Sequence, residues 1–261
     1  MNGMKREEAK SSCGETAIFR VMIDGIFLTG TGTGVGKSGA AAFLVTAARS
    51  AGFSPLYWKP AQCGPSEWEG IEEPGGDCAT VRKLSGVKLP TYCSYNFQTP
   101  SSPDRASRVE GKELSFDSLL SDWDLLTEGV LPDGNSAPPF DYIVVEGAGG
   151  LLVPLTGERD FADLSLGTAS RLIVVAEPGL GTINATRLTI EAACARGLQV
   201  EGFLFSPPSA GEDLAFVEDN WKVISELEKV PFLGVIPRLS PGTIPFVEKN
   251  HPLLLWMEEQ K

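Results

Sequence analysis

Gly30-Thr31-Gly32-Thr33-Gly34-Val35-Gly36-Lys37-Ser38 (GTGTGVGKS) is the stretch that decides the fold of this 261-residue chain. It follows an apolar run at 25–29 (GIFLT) and leads into an alanine-rich segment at 39–51. Strand, glycine-rich loop and helix in that order make a phosphate-binding loop. Glycines let backbone amides turn inward on an anion, and the helix N-terminus adds partial positive charge. Lys37 is placed to reach the β- and γ-phosphates, and the Ser38 hydroxyl to coordinate Mg2+. The spacing departs from the usual signature: Thr31 stands where the first glycine is expected, and Gly30 lies one residue earlier. The bland alternative, a tight Gly/Thr turn between strand and helix, leaves the GKS tripeptide and its flanks unexplained.

Further apolar runs lie at 55–59 (PLYWK), 142–146 (YIVVE), 172–176 (LIVVA), 200–205 (VEGFLF) and 232–236 (FLGVI). Continuous rather than alternating apolar character marks strands buried on both faces, as in a parallel sheet. Residues 39–51, 182–196 and 213–229 read as helices, and 116–126 as a further one. The alternation predicts an α/β fold, P-loop NTPase-like, with a mostly parallel central sheet and helices on both faces. Residues 62–76 read as a loop, 99–105 (TPSSPDR) as a turn-rich opening, and 132–139 (PDGNSAPP) as a linker. Residues 1–24 read as a flexible N-terminal extension, and 25–261 as a single domain.

The formal charge of −12 argues against non-specific binding to nucleic acid or anionic membrane, while leaving room for a local phosphate pocket. The five cysteines are odd in number, scattered and without a CxxC pair, as expected of reduced thiols in a cytoplasmic protein. A single histidine, His251, excludes a multi-histidine metal site and makes a histidine-centred triad improbable. It reads as a surface or packing residue. No apolar run approaches the roughly 18 residues that span a bilayer.

Two more charged positions sit at strand ends. Lys59 follows the second apolar run, and in open α/β sheets ligands bind beyond the carboxyl ends of strands. There a lysine neutralises a transferring phosphoryl group or an anionic nucleophile. Glu146 ends the YIVVE run and is followed by Gly147-Ala148-Gly149-Gly150, which permit close approach. Asp77 stands at the start of a helix, as a metal ligand or merely an N-cap. Ser38, Asp77 and Glu146 together supply the oxygen donors of a magnesium site.

These pieces, in this order, resemble dethiobiotin synthetase. The family's expanded loop is similar to GTGTGVGKS, its K-P-x-x-[ST]-G element to Lys59-Pro60-Ala61-Gln62-Cys63-Gly64, and its V-E-G-A-G-G run to 145–150. Leu180-Gly181-Thr182-Ile183-Asn184-Ala185 looks like its L-G-x-[IL]-N-[HA] stretch, and TPSSP like its P-x-[SA]-P loop. The similarity runs from about residue 25 to 239.

The resemblance implies a Mg2+- and ATP-dependent ligase that joins 7,8-diaminononanoate with CO2. One amine takes up CO2 as a carbamate, and the carbamate oxygen attacks the γ-phosphate to give a carbamic-phosphoric anhydride. The other amine then closes the ureido ring and expels phosphate. Carried onto this sequence, Lys37 and Lys59 are the catalytic residues. Gly32, Thr33, Gly34, Val35, Gly36, Lys37, Ser38, Glu146, Ser206 and Pro237 bind nucleotide. Thr33, Lys59, Cys63, Gly147, Gly181, Thr182 and Asn184 bind the diamine, partly across a homodimer. There the helix start near Asn184 holds the substrate's distant carboxylate. This sequence departs from the family at Gly34, often Glu, at Cys63, usually Ser or Thr, and at Ser206-Pro207, where an Asn often reads adenine. Triphosphates other than ATP are therefore admitted.

Two other readings compete. A nucleotide-switched partition or division-site ATPase would carry a signature lysine early in the loop, where this chain has Thr31, and often an amphipathic basic tail, which 245–261 is not. A non-catalytic nucleotide-binding regulatory module would not be expected to keep Lys59, Asp77 and Glu146 together.

Overall fold

The computed structural model describes residues 23–64, 76–169, 171–207 and 213–260. Most of the expected extension, and the centre of the loop expected at 62–76, lie outside them. Seven strands alternate with helices: β1 (Asp24–Gly30), α1 (Lys37–Ser50), β2 (Pro55–Cys63), α2 (Gly76–Ser85), β3 (Thr91–Phe97), α3 (Pro103–Glu110), α4 (Phe116–Thr127), β4 (Tyr142–Gly150), α5 (Phe161–Gly167), β5 (Arg171–Ala176), α6 (Thr182–Ala195), β6 (Gln199–Phe205), α7 (Leu214–Glu228), β7 (Phe232–Val235) and α8 (Pro252–Glu258).

The strands form one sheet in the order β3-β2-β4-β1-β5-β6-β7. All six neighbouring pairs are parallel, so the expected fold class stands. Alternate residues of a strand face opposite layers. Ile26 and Leu28 of β1 therefore join one core with α1, α2 and α8, while Phe27 joins the other with α3 to α7. Helices thus cover both faces, which is why the central strands read as unbroken apolar runs.

α1 lies against the middle of the sheet, with every residue from Gly39 to Ala48 buried. Its alanines let the helix axis come close to β1 and β4, placing its N-terminus over the carboxyl ends of those strands. β1 sits between β4 and β5, and the chain leaves it toward β2 on one side before returning to β5 on the other. Such a reversal opens a crevice at the strand ends where ligands bind.

Two strands run further than the sequence suggests. β2 continues past Lys59 to Cys63, because β3 pairs with it there: Lys59 with Cys93, Ala61 with Tyr95, Cys63 with Phe97. Pro60, with no N–H to give, is the position that ladder skips. β4 continues past Glu146 to Gly150, which pairs with Gly30. β1 itself opens at Asp24.

Candidate active site

The phosphate loop spans residues 31–36 between β1 and α1. Gly36, the residue before α1, has φ +89°, and a Cβ there would meet Ser206 Cβ at 3.0 Å. A side chain at this position would be strained by handedness and would press on Ser206. Gly36 also offers no side-chain cap, so the first amides of α1 are left for an external anion. Val35 is buried beneath the loop and packs toward Gly30; its part is to hold the loop's curve.

Lys37 curls over the loop and donates from Nζ to the Gly32 carbonyl at 2.9 Å. Ser38 donates its hydroxyl to Glu146 Oε1 at 3.0 Å. That bond ties the start of α1 to β4. Lys59 of β2 donates to the same Oε1 at 2.9 Å, to the Gly147 carbonyl at 3.0 Å, and forms an ion pair with Asp77 Oδ2 at 2.7 Å. On the far oxygen, Oε2, Glu146 accepts from the Tyr57 hydroxyl at 2.9 Å.

Asp77 belongs to the first turn of α2, after Gly76, and its carboxylate points to Lys59 instead of capping the helix. Gln62 fixes that helix start: its Oε1 accepts from the Asp77 amide at 3.0 Å and its Nε2 donates to the Gly64 carbonyl at 3.0 Å. Lys59 and Glu146 are 2% and 1% exposed, so their pairing is nearly desolvated. Burial works against both charges, lowering the lysine and raising the glutamate. At the lysine Asp77 and Glu146 together overcome it and hold the ammonium well above its ordinary pKa. Burial and the neighbouring Glu146 also push the Tyr57 phenol up. Lys59 is thus a fixed cation and Tyr57 a fixed donor at any working pH.

A cavity of about 270 Å³ opens above these groups. It is lined by Thr33, Gly34, Gly36, Lys37, Ser38 and Lys59, with Gln62, Cys63, Asp77, Glu146, Ala148 and Gly149 completing the wall. The fold therefore brings the loop, both lysines and all three expected metal ligands to one place. The Cys63 thiol on its wall is pushed up to about 11 by burial, with Lys59 pulling the other way. At neutral pH it is a protonated, weak donor.

Gly147 sits against Phe27, Leu28 and Phe161, with its carbonyl on Lys59. The other expected residues stand outside this cavity. Ser206 is buried behind Gly36, and its amide donates to the Ala176 carbonyl. Pro237 is exposed beyond β7. Gly181, Thr182 and Asn184 form the start of α6, another helix that begins after a positive-φ glycine with no side-chain cap. Sequence reading missed Gln62 and Tyr57. The signal for Tyr57 was present: it precedes Lys59 by two and so shares its face of β2.

Ser38, Asp77 and Glu146 present oxygen donors alone, two of them carboxylates, on the wall of a cavity that also holds a phosphate loop. That donor set suits Mg2+, which favours hard oxygen ligands and keeps part of its water shell.

Residues 24–243 match the family described as the AAA domain. An ATP-dependent dethiobiotin synthetase of Anaeromyxobacter dehalogenans is 40% identical over 219 residues, 82% of this chain and 89% of that protein. The corresponding protein of Anoxybacillus flavithermus is 30% identical over 236 residues, 90% of this chain and 98% of its own length. The chain belongs to the dethiobiotin synthetase family. Among solved structures, pNOB8 ParA bound to nonspecific DNA superposes over 91% of this chain and 92% of its own, with a TM-score of 0.51. At 12% identity that likeness shows the fold alone. The family match at residues 24–243 runs from β1 through β7 and includes every cavity residue named above.

Proposed function

We propose that this chain makes dethiobiotin in biotin biosynthesis, from 7,8-diaminononanoate, CO2 and ATP. The observation that carries the reading is Lys59, a buried, permanently charged ammonium facing the same cavity as the phosphate loop. A switch ATPase needs a cation for phosphate; a second cation held on β2 by two carboxylates serves a second anion. That anion is the carbamate formed when one substrate amine adds to CO2 and loses a proton.

The amides of residues 34–37 bind the triphosphate, and Lys37 leaves the Gly32 carbonyl for the β- and γ-phosphates. Ser38, Asp77 and Glu146 would hold Mg2+, which when bound offsets charge on the phosphates. Lys59 holds the carbamate in line with the γ-phosphorus. The carbamate oxygen attacks and ADP leaves. The second amine then attacks the carbonyl of the mixed anhydride, phosphate departs, and the ring closes with loss of a proton. Positioning and charge compensation account for both steps without a strong side-chain base.

Thr33, Cys63 and Gly147 then lie along the diamine, with Gly32 and Val35 shaping the loop beneath the triphosphate. The base runs toward Ser206 and Pro237. The start of α6, with Gly181, Thr182 and Asn184, serves the substrate's distant carboxylate across a homodimer. The same reading places the protein in the cytoplasm, its acidic surface turned from nucleic acid and anionic membranes. No helix among the described residues is long and apolar enough to cross a membrane.

A mass-spectrometric product assay tests this, with the diamine, bicarbonate, Mg2+ and each of four nucleoside triphosphates. The expected result is dethiobiotin appearing in step with phosphate. Phosphate release indifferent to the diamine would make the chain a switch ATPase, and no turnover would make it a regulatory module.

A further inference from the structure

Among the described residues Glu146 receives three donors, and the reading above employs only two of them. Ser38 Oγ and Lys59 Nζ both donate to Oε1, while the Tyr57 hydroxyl donates to Oε2. Tyr57 is level with Val144 of β4, two residues before Glu146. Its side chain therefore spans the diagonal between neighbouring parallel strands, a reach open to an aromatic ring and not to a short polar residue. The ring is fully buried in the core on the α1 side of the sheet, so the hydroxyl has little freedom to swing elsewhere.

The two Oε1 donors have other work. With cation and carbamate bound, Ser38 would offer its oxygen to the cation and Lys59 would share its protons with the carbamate. Both changes loosen their hold on Glu146, and Tyr57 is the donor that stays. We propose that Tyr57 is a positioning residue for the divalent cation: its hydroxyl fixes the plane of the Glu146 carboxylate so that Oε1 faces the cavity. The proposal rests on the ligase reading only in taking Glu146 as a metal ligand.

Tyr57→Phe removes the oxygen and keeps the ring. In the full chain with ADP present, Mn2+ binding followed by electron paramagnetic resonance is expected to weaken about tenfold or more. ADP binding without cation is expected to stay within about twofold, because the loop amides do not touch Tyr57. The Mg2+ concentration for half-maximal product formation rises by the same factor as the Mn2+ dissociation constant, and excess Mg2+ restores much of kcat. Tyr142→Phe is the control. It deletes another buried phenol hydroxyl, one with no hydrogen-bond partner among the described residues, and leaves cation affinity unchanged.

A Tyr57→Phe protein with a lowered thermal midpoint and wild-type Mn2+ affinity would make the hydroxyl purely structural and overturn the proposal. Tyr57→Met repeats the measurement if the phenylalanine variant does not fold, and failure of both to fold overturns it equally. Cation binding is read without turnover. A wild-type chain that binds Mn2+ but makes no dethiobiotin therefore sinks the ligase reading and leaves the Tyr57 test readable.

Discussion

Lys37 and Lys59 face one cavity, and each is tested by its own variant. Lys59 is buried with two carboxylates, so its loss leaves both without their cation. Lys59→Met is expected to cut product formation by about 1,000-fold and to lower unfolding free energy in urea by about 3 kcal/mol. Lys37 donates to the Gly32 carbonyl across its own loop. Lys37→Ala should lose about 100- to 1,000-fold in rate. Near-normal turnover in either variant would remove that lysine from the mechanism. Gly36→Ala is the third test at this scale. It forces a side chain into φ +89° and against Ser206, at a strain of about 1–3 kcal/mol. Calorimetric ATP affinity should fall by about 5- to 150-fold, and binding at wild-type affinity would show that the loop tolerates a Cβ.

Among the elements, α8 gives the clearest pH signature. His251 caps it, with Nδ1 accepting from the Leu253 amide at 3.2 Å and Nε2 lying 3.3 Å from the Val235 carbonyl. Its ring meets Phe43 of α1 edge-on at 5.0 Å and covers Gly234, where a Cβ would come within 2.6 Å of it. Only the neutral imidazole both accepts at Nδ1 and donates at Nε2. Burial lowers its pKa, with the Val235 carbonyl and Glu248 opposing. The folded protein thus resists protonation more than the unfolded chain, whose histidine titrates near its ordinary value of about 6.5. This contribution is fully present above that value and is lost as pH falls through it toward the folded pKa. Thermal midpoints at about pH 7.5 and about pH 5 should show a drop that His251→Asn diminishes, since Asn keeps a cap that does not titrate. An equal drop in the variant would assign the slope to other groups. The bland reading of this lone histidine as a packing residue was sound, yet α8 itself was not legible. Its apolar run of Leu253, Leu254, Trp256 and Met257 is too short to show helical period. β3 escaped for a related reason. As an edge strand pairing only with β2, it is half-exposed along most of its length and carries no unbroken apolar run. α5 carries a reciprocal cap of Asp160 and Asp163, with Asp in place of the usual Glu or Gln. The central strands, the loop and the charged cavity residues were legible because burial on both faces and phosphate chemistry each permit few residue types.

At the scale of the whole molecule, the start of α6 separates a one-chain site from a two-chain one. α6 buries Thr182, Thr186, Ile190 and Ala193 against the sheet. Its outward side carries Asn184 and Leu188, with Leu180 just ahead of the helix at 97% exposure. A leucine that far into water gains nothing in a monomer; covered by a second copy it would contribute about 1.5–3 kcal/mol. The start of α6 lines no part of the phosphate cavity, although the resemblance assigns Gly181, Thr182 and Asn184 to the diamine. Both facts are met if the α6 starts of two chains lie at their shared interface. Sedimentation equilibrium should therefore give twice the 27.8 kDa chain mass. Leu180→Asp should shift the chain toward the monomer and raise KM for the diamine, while Mg2+–ATP affinity holds, because the phosphate loop is built within one chain. A monomeric wild-type protein with full activity would confine the diamine to the cavity between Lys59 and the loop and take α6 out of the site.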